Sequence, residues 1–230
     1  MLVLFPEGFE EVERDGATEL VVYTDSAGEE RVWHVFGVTR STDVEEGWED
    51  RWQSFHHPVE VGRLWVGPSW EEPPPEALAV MIDPGRAFGT GAHPTTRLCL
   101  QLLQETAPAA LLDVGCGSGV LGIAAALLGF EPVVAVDVEP PAVEATRANA
   151  EANGVRVDAR LVEAADDLPP TEIAIANISL AGVTSVAERV DARTLLTSGY
   201  LIADRPEPDG WAHVNRVALD GWAADVFERS

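Results

Sequence analysis

The chain contains no lysine, so its 15 basic residues are all arginines. Without lysine, no side chain can form a Schiff base with a substrate carbonyl. Its two cysteines, Cys99 and Cys116, are too few for a disulfide scaffold and do not form a Cys-x-x-Cys pair. Its five histidines lack metal-ligand spacing, since His56 and His57 are adjacent and their side chains cannot converge. The sequence therefore indicates neither a metal centre nor a disulfide-rich fold.

Long hydrophobic runs are also missing. None approaches the roughly 18 residues that would span a bilayer, and the longest, residues 120–130, is interrupted by two glycines. The first eleven residues have no basic flank and turn acidic at once, unlike a secretory signal. We therefore expect a protein of the cytoplasm that makes no contact with membranes.

Positive charge is scarce, with 39 acidic residues against 15 basic ones and a formal net charge of −24. Such a surface repels phosphate backbones, which argues against direct binding to nucleic acid. It attracts a basic protein and accelerates the encounter in a salt-dependent way. A compositional bias towards Ala, Gly, Arg and Glu, or selection for solubility, would produce the same excess of acids.

The 230 residues suit one ordinary domain plus a small module. The pattern of predicted strands and helices differs between these two parts. Residues 1–67 combine predicted strands with an amphipathic helix over 44–55, which predicts a small α+β module. Residues 68–77 are rich in proline and read as a stiff linker. Residues 78–230 alternate apolar strands with amphipathic helices, which predicts an α/β domain with a doubly wound parallel sheet.

A glycine-rich turn follows the predicted strand 110–114 and precedes a predicted helix. Gly115, Gly117 and Gly119 follow Asp113 in the pattern Asp-x-Gly-x-Gly-x-Gly, whereas dinucleotide sites use Gly-x-Gly-x-x-Gly. This spacing is the usual one for S-adenosylmethionine, which has no pyrophosphate to bind. Asp113 could order the turn or meet the cofactor's ammonium group through water, and a purely structural turn is the alternative reading.

Two further strands end in polar residues at the edge where open α/β sheets bind ligands. Asp137 ends an apolar strand 22 residues after Gly115, where an acid accepts hydrogen bonds from ribose hydroxyls. Asn177 ends another strand and could orient a substrate amine through its amide oxygen, or cap the next helix. We predict a ribose-binding role for Asp137 and a catalytic role for Asn177.

The segment 83–97 packs glycines, prolines, an aromatic residue and threonines just before a predicted helix. This composition predicts a flexible lid in which Phe88 covers an apolar face of the ligand. It also predicts a helix start from which Thr96 reaches the cofactor.

Taken together, these motifs resemble the PrmA family, the bacterial methyltransferases of the eleventh protein of the large ribosomal subunit. The resemblance rests on residues 82–98, 113–119, 136–137 and 176–178, and most of all on the run Asp-Pro-Gly-x-x-Phe-Gly-Thr-Gly-x-His-x-Thr-Thr. It covers about residues 45–200 well and both ends loosely.

The resemblance implies a class I methyltransferase domain with a Rossmann-like sheet, joined to a small N-terminal module that recognises the substrate. It implies S-adenosylmethionine as the methyl donor, with Thr96, Gly115, Asp137 and Asn177 as cofactor-binding residues by motif match. The implied acceptors are lysine ε-amines and the N-terminal α-amine of a basic ribosomal protein. We expect the enzyme to act as a monomer.

The resemblance is incomplete at three places. By comparison with the family, we expect the N-terminal module to begin at a position after a first strand and helix. Asn177-Ile178 is followed by Ser179-Leu180, where the family usually has Leu-Ala or a similar pair, and residues 204–210 stand where the family has a long helix. Two alternatives therefore remain open: a methyltransferase for another protein or a small amine, and a non-catalytic module that binds S-adenosylmethionine. A nucleotide-dependent oxidoreductase is excluded by the glycine spacing.

Overall fold

The first of two units in the chain ends at Phe55 and the second begins at His56. The computed structural model describes residues 10–14, 17–21, 32, 36–37, 57–83, 91–163 and 166–230. In the first unit, β1 (Glu10–Arg14) and β2 (Ala17–Val21) form an antiparallel hairpin. The predicted helix over 44–55 lies outside the described residues.

The second unit alternates strands and helices much as the sequence predicted. Its helices are α1 (Pro94–Glu105), α2 (Val120–Leu127), α3 (Pro140–Ala152) and α4 (Leu180–Arg189). Its strands are β3 (Val59–Val61), β4 (Leu64–Gly67), β5 (Leu78–Met81), β6 (Leu111–Val114), β7 (Val133–Asp137), β8 (Asp158–Leu161), β9 (Ile173–Asn177), β10 (Thr194–Leu201), β11 (Trp211–Leu219) and β12 (Trp222–Arg229).

Seven strands form one sheet in the order β11-β12-β10-β9-β6-β7-β8. The neighbours from β8 to β10 are parallel, which confirms the α/β doubly wound prediction. The last two strands run antiparallel and reach nine and eight residues. The connection 202–210 before them contains no helix, because Pro206 and Pro208 disfavour one.

Local sequence explains where the helices begin. Proline occupies the first positions of α1 and α3, where its missing N–H is no loss. His93 caps α1 by accepting the Thr95 N–H, and Ser179 caps α4 by accepting the Gly182 N–H at 3.3 Å. Within the described part of the chain, no helix is long and apolar enough to cross a membrane.

The core lies on both faces of the seven-stranded sheet. Alternate residues of β9 and β10 point to opposite sides, so Ile175 and Leu196 pack with α1 and α2 while Ala174 and Leu195 pack with the α4 side. These side chains are almost completely buried. The sheet therefore holds the carboxyl ends of its parallel strands in a fixed row, which is where the candidate site lies.

A second, three-stranded sheet has the order β3-β4-β5, with β4 and β5 parallel. Residues 68–77, the segment predicted as a linker, connect these two paired strands within the second unit. The side-chain amide of Gln104 bonds to the backbone of Val61 and Arg63, and that of Asn153 makes two bonds of 2.8 Å to the backbone of Met81. These amides bond to backbone N–H and C=O groups of the small sheet and so link it to α1 and to the C-terminal end of α3.

Candidate functional site

A cavity of about 710 Å³ opens at the carboxyl ends of β6, β7 and β9. It brings together five of the residues predicted from sequence: Thr96, Gly115, Gly117, Asp137 and Asn177. This position is the one at which open α/β sheets bind their ligands. Phe88, the sixth predicted contact, lies outside the described residues, and Asp113, the seventh, lies behind the cavity wall.

The glycine loop between β6 and α2 uses a backbone that other residues adopt poorly. Gly115, Gly117 and Gly119 have φ angles of +75°, +55° and +83°. A Cβ on Gly115 would also lie 2.5 Å from Cγ2 of Ile178, which is another residue of the cavity lining. The loop therefore keeps its backbone close to the ligand space in front of the helix N-terminus.

Asp113 orders this loop from below. Its carboxylate is buried and accepts the Gly122 N–H at 3.0 Å, inside the first turn of α2. Burial, together with the nearby charge of Asp137, raises the pKa of Asp113 to about 7, although the Gly122 hydrogen bond lowers it. Of the two roles predicted for Asp113, this geometry supports the ordering of the turn.

The raised pKa of Asp113 gives a prediction for stability. The native state keeps this proton up to about pH 7, while the unfolded chain releases it near pH 4. Stability therefore falls as pH rises between these values, because the native state binds more protons. We expect Asp113→Asn to remove this contribution while keeping an oxygen that accepts the Gly122 N–H. The free energy of unfolding of the variant, minus that of the wild type, should increase from pH 4.5 to pH 7.5 in denaturant titrations. A pH-independent difference would contradict this assignment.

Asp137 stands at the end of β7 with its carboxylate on the cavity wall. One oxygen accepts the Gly117 N–H and the other accepts the Glu139 N–H, each at 3.0 Å. Each carboxylate oxygen has a further lone pair. The side chain thus links the glycine loop to β7 and keeps acceptor capacity for hydroxyl groups in the cavity.

Asn177 and Thr96 come from different parts of the chain and are in contact on the cavity lining. Asn177 ends β9, and Thr96 lies in the first turn of α1, 81 residues away in sequence. The Asn177 Nδ2 donates to Thr96 Oγ1 at 3.2 Å. This bond fixes the amide orientation and leaves its oxygen, Oδ1, available as an acceptor.

The sequence missed both ends of the cavity. Beyond Asp137, the wall is formed by Val138, Val162, Leu168 and Arg189. Arg189 is held by a 2.8 Å bond from its guanidinium to the Asp166 carbonyl. This wall is assembled from β7, the segment after β8 and α4, and no local motif marks its members.

Beyond Asn177, the cavity is lined by His93 and Trp222, whose rings meet edge to face at 4.8 Å. Burial lowers the pKa of His93, which favours the neutral ring. Trp222 starts β12, far from the motifs in sequence, so its presence here depends on the strand order. The described part of the chain holds no group of three His, Cys, Asp or Glu residues placed to bind a metal.

Gly199 is a further lining residue, and its backbone is the most constrained of these glycines. It interrupts the pairing of β10 with β12 as a bulge between Ser198 and Tyr200. Its φ is +103°, and a Cβ there would lie 1.9 Å from the Ile178 carbonyl oxygen. Only glycine fits this approach, which presses β10 against the residue that follows Asn177. A glycine inside a strand segment is the signal that the sequence carries for this bulge.

The order of the seven strands and a glycine loop at their carboxyl edge define the class I fold of S-adenosylmethionine-dependent methyltransferases. The family profile described as ribosomal protein L11 methyltransferase (PrmA) matches residues 13–204. The chain belongs to this family, which confirms the resemblance predicted from its motifs.

Individual proteins similar to this chain carry the name of the same family. The ribosomal protein L11 methyltransferase of Marinomonas sp. is 45% identical over 155 residues, which are 64% of this chain and 52% of that protein. The Azotobacter vinelandii protein of the same name is 37% identical over 75% of this chain and 68% of its own length. A crystal structure of ribosomal protein L11 methylase from Lactobacillus delbrueckii subsp. bulgaricus has a TM-score of 0.65 and 26% identity, covering 75% of this chain and 98% of that one. The chain thus spans about half to two thirds of the curated relatives it matches.

Proposed function

We propose that this chain is an S-adenosylmethionine-dependent methyltransferase that modifies amines of ribosomal protein L11. The observation that carries the proposal is the meeting of the glycine loop, Asp137 and the Asn177–Thr96 pair around one cavity. Family membership supports the acceptor, because the matched relatives are named for that ribosomal protein. Lysine ε-amines and an N-terminal α-amine are the acceptors that we propose in detail.

The cavity suits S-adenosylmethionine in shape and in polar groups. The positive φ of Gly115 and its close approach to Ile178 require a glycine there, so the loop lines the cavity with backbone at Gly115 and Gly117. Asp137 has free acceptor capacity for the two ribose hydroxyls, and the apolar wall at Val138, Val162 and Leu168 suits a flat base. Bound there, the cofactor would supply a methyl group made electrophilic by its sulfonium.

The protein's part in the reaction is to present a neutral amine in the correct direction. A free lysine amine has a pKa of about 10.4, and apolar walls favour its uncharged form. Asn177 Oδ1 can accept one amine hydrogen, which directs the nitrogen lone pair along a defined line. Thr96 holds the amide in that orientation from the other side. Such alignment provides much of the rate of a displacement reaction.

The amine must also lose a proton to the solvent. Asp137 accepts two backbone N–H groups and is assigned here to the ribose hydroxyls, so we do not assign it the role of base. An amide such as Asn177 is too weak a base. We propose that water removes the proton, while the acidic surface of the chain attracts the basic acceptor protein.

Substitution of Asn177 tests this account of orientation. We expect Asn177→Ala to lower kcat for L11 methylation roughly 100-fold, the scale of a misaligned reactant. The affinity for S-adenosylmethionine, measured by calorimetry, should fall much less. A matched control is Gln101→Ala, which removes an exposed amide that donates to Glu105 on the surface of α1, outside the cavity lining. Equal losses in the two variants, or unchanged kcat in Asn177→Ala, would contradict the role.

A further inference from the structure

A polar cluster lies under the α4 side of the sheet, outside the cavity. Its centre is Asp225 of β12, which is fully buried. Its carboxylate lies 2.7 Å from the Tyr200 hydroxyl and 2.7 Å from His213 Nε2, and the Arg216 guanidinium pairs with it at 3.3 Å. A buried charge is retained only where it is paired and hydrogen-bonded in this way.

The hydrogen bonds in this cluster have a defined direction. An ionised carboxylate only accepts, so the Tyr200 hydroxyl donates its single hydrogen to Asp225. The Thr197 hydroxyl, 2.6 Å from the same phenolic oxygen, must then be the donor to Tyr200. Burial and the Asp225 charge raise the pKa of Tyr200, so its hydroxyl stays protonated. The result is a directed chain from Thr197 through Tyr200 to Asp225.

This chain of bonds spans the bulge in β10. Thr197 and Tyr200 lie on either side of Ser198 and Gly199, the point at which the register with β12 shifts. The extra residue brings both side chains to the same face of the sheet, where they bond to each other. Asp225 is paired with Thr197 across the strands and closes the bridge from β12.

The bulge in β10 contacts Ile178, the residue that follows Asn177. The Ile178 N–H donates to the Ser198 carbonyl at 3.1 Å, and the Gly199 backbone lies against the Ile178 carbonyl. The Tyr200 ring belongs to the same apolar cluster as Val183, against which Ile178 packs. Ile178 directly follows Asn177, so displacement of the bulge would also displace the Asn177 amide.

We propose that Tyr200, Thr197 and Asp225 are positioning residues for methyl transfer, because they hold the β10 bulge that places Ile178 and Asn177. This inference rests on the proposed function for its kinetic consequence. Its structural part concerns the bulge alone and can be tested without any substrate.

The test is Tyr200→Phe, which keeps the ring and removes only the hydroxyl. We expect kcat for L11 methylation to fall about tenfold while the dissociation constant of S-adenosylmethionine stays within twofold. We also expect the Ile178 amide to exchange with deuterium at least tenfold faster by NMR, because its acceptor at Ser198 is no longer held. Thr197→Val, which removes the hydroxyl at the other end of the chain, should change both measurements in the same direction.

Val133→Ala is the matched control, since Val133 is buried at the start of β7 and contributes to the core without contacting the bulge. Its loss of stability should leave the exchange of Ile178 and kcat close to wild type. The proposal is overturned if Tyr200→Phe changes neither measurement, or if Val133→Ala changes them as much. If the wild-type chain transfers no methyl group to L11, the proposed function fails, and the Ile178 exchange still decides the positioning role.

Discussion

Gly199→Ala should abolish most of the methyl transfer activity and lower the stability of the domain. The new Cβ would stand 1.9 Å from the Ile178 carbonyl oxygen, so one of the two backbones must move by more than 1 Å. The φ of +103° adds a conformational cost of about 1–2 kcal/mol for an alanine. A displacement of this size beside Asn177 should reduce kcat roughly 100-fold or more.

The chain offers a control that separates backbone strain from collision. Gly129 has a comparable φ of +95°, but a Cβ there would meet no atom within 4 Å. Gly129→Ala should therefore lose about 1–2 kcal/mol of stability through strain alone and keep its activity. Denaturant titration and initial-rate kinetics on both variants make the comparison. Gly199→Ala retaining wild-type kcat would show that the contact between the bulge and Ile178 does not control the site.

Asp137→Ala should weaken the binding of S-adenosylmethionine at least tenfold, or about 1.4 kcal/mol. The substitution removes the acceptor capacity proposed for the ribose hydroxyls. It also leaves the N–H groups of Gly117 and Glu139 without their partner, which loosens the loop that faces the ligand. Asp137→Asn should have an intermediate effect, because its one amide oxygen can accept only part of these bonds.

Calorimetric titration with S-adenosylmethionine measures both effects directly. The control is Asp158→Ala, an exposed aspartate on the neighbouring strand whose carboxylate pairs with Arg160 at the surface. That variant should bind the cofactor within twofold of wild type. An unchanged dissociation constant in Asp137→Ala would remove the ribose assignment.

The parts of the site that the sequence predicted are those encoded by adjacent residues. The glycine loop, Asp137 and Asn177 each end a predicted strand, and the parallel alternation of strands and helices was enough to place them on one edge. Thr96 was found because a specific motif precedes its helix. In these cases, the residues of one short segment indicate both its chemical role and its position at the edge of the sheet.

The rest of the site depends on tertiary arrangement. Trp222 reaches the cavity because β12 inserts between β10 and β11, an order that local patterns do not specify. Arg189 reaches it from the last turn of α4, and the importance of Gly199 depends on its distance from Ile178. Residues 68–77, predicted as a linker, connect β4 to β5. Local composition does not show that these two strands pair, because their pairing is a long-range contact.

The most direct test of the central claim is mass spectrometry of purified ribosomal protein L11 after incubation with this chain and S-adenosylmethionine. The proposal predicts mass gains in steps of one methylene, located on lysine side chains or the N-terminal amine, and strongly reduced gains with Asn177→Ala. Unmodified L11, in a reaction where calorimetry shows the cofactor bound, would contradict the proposed acceptor. That result would favour another substrate or a non-catalytic role.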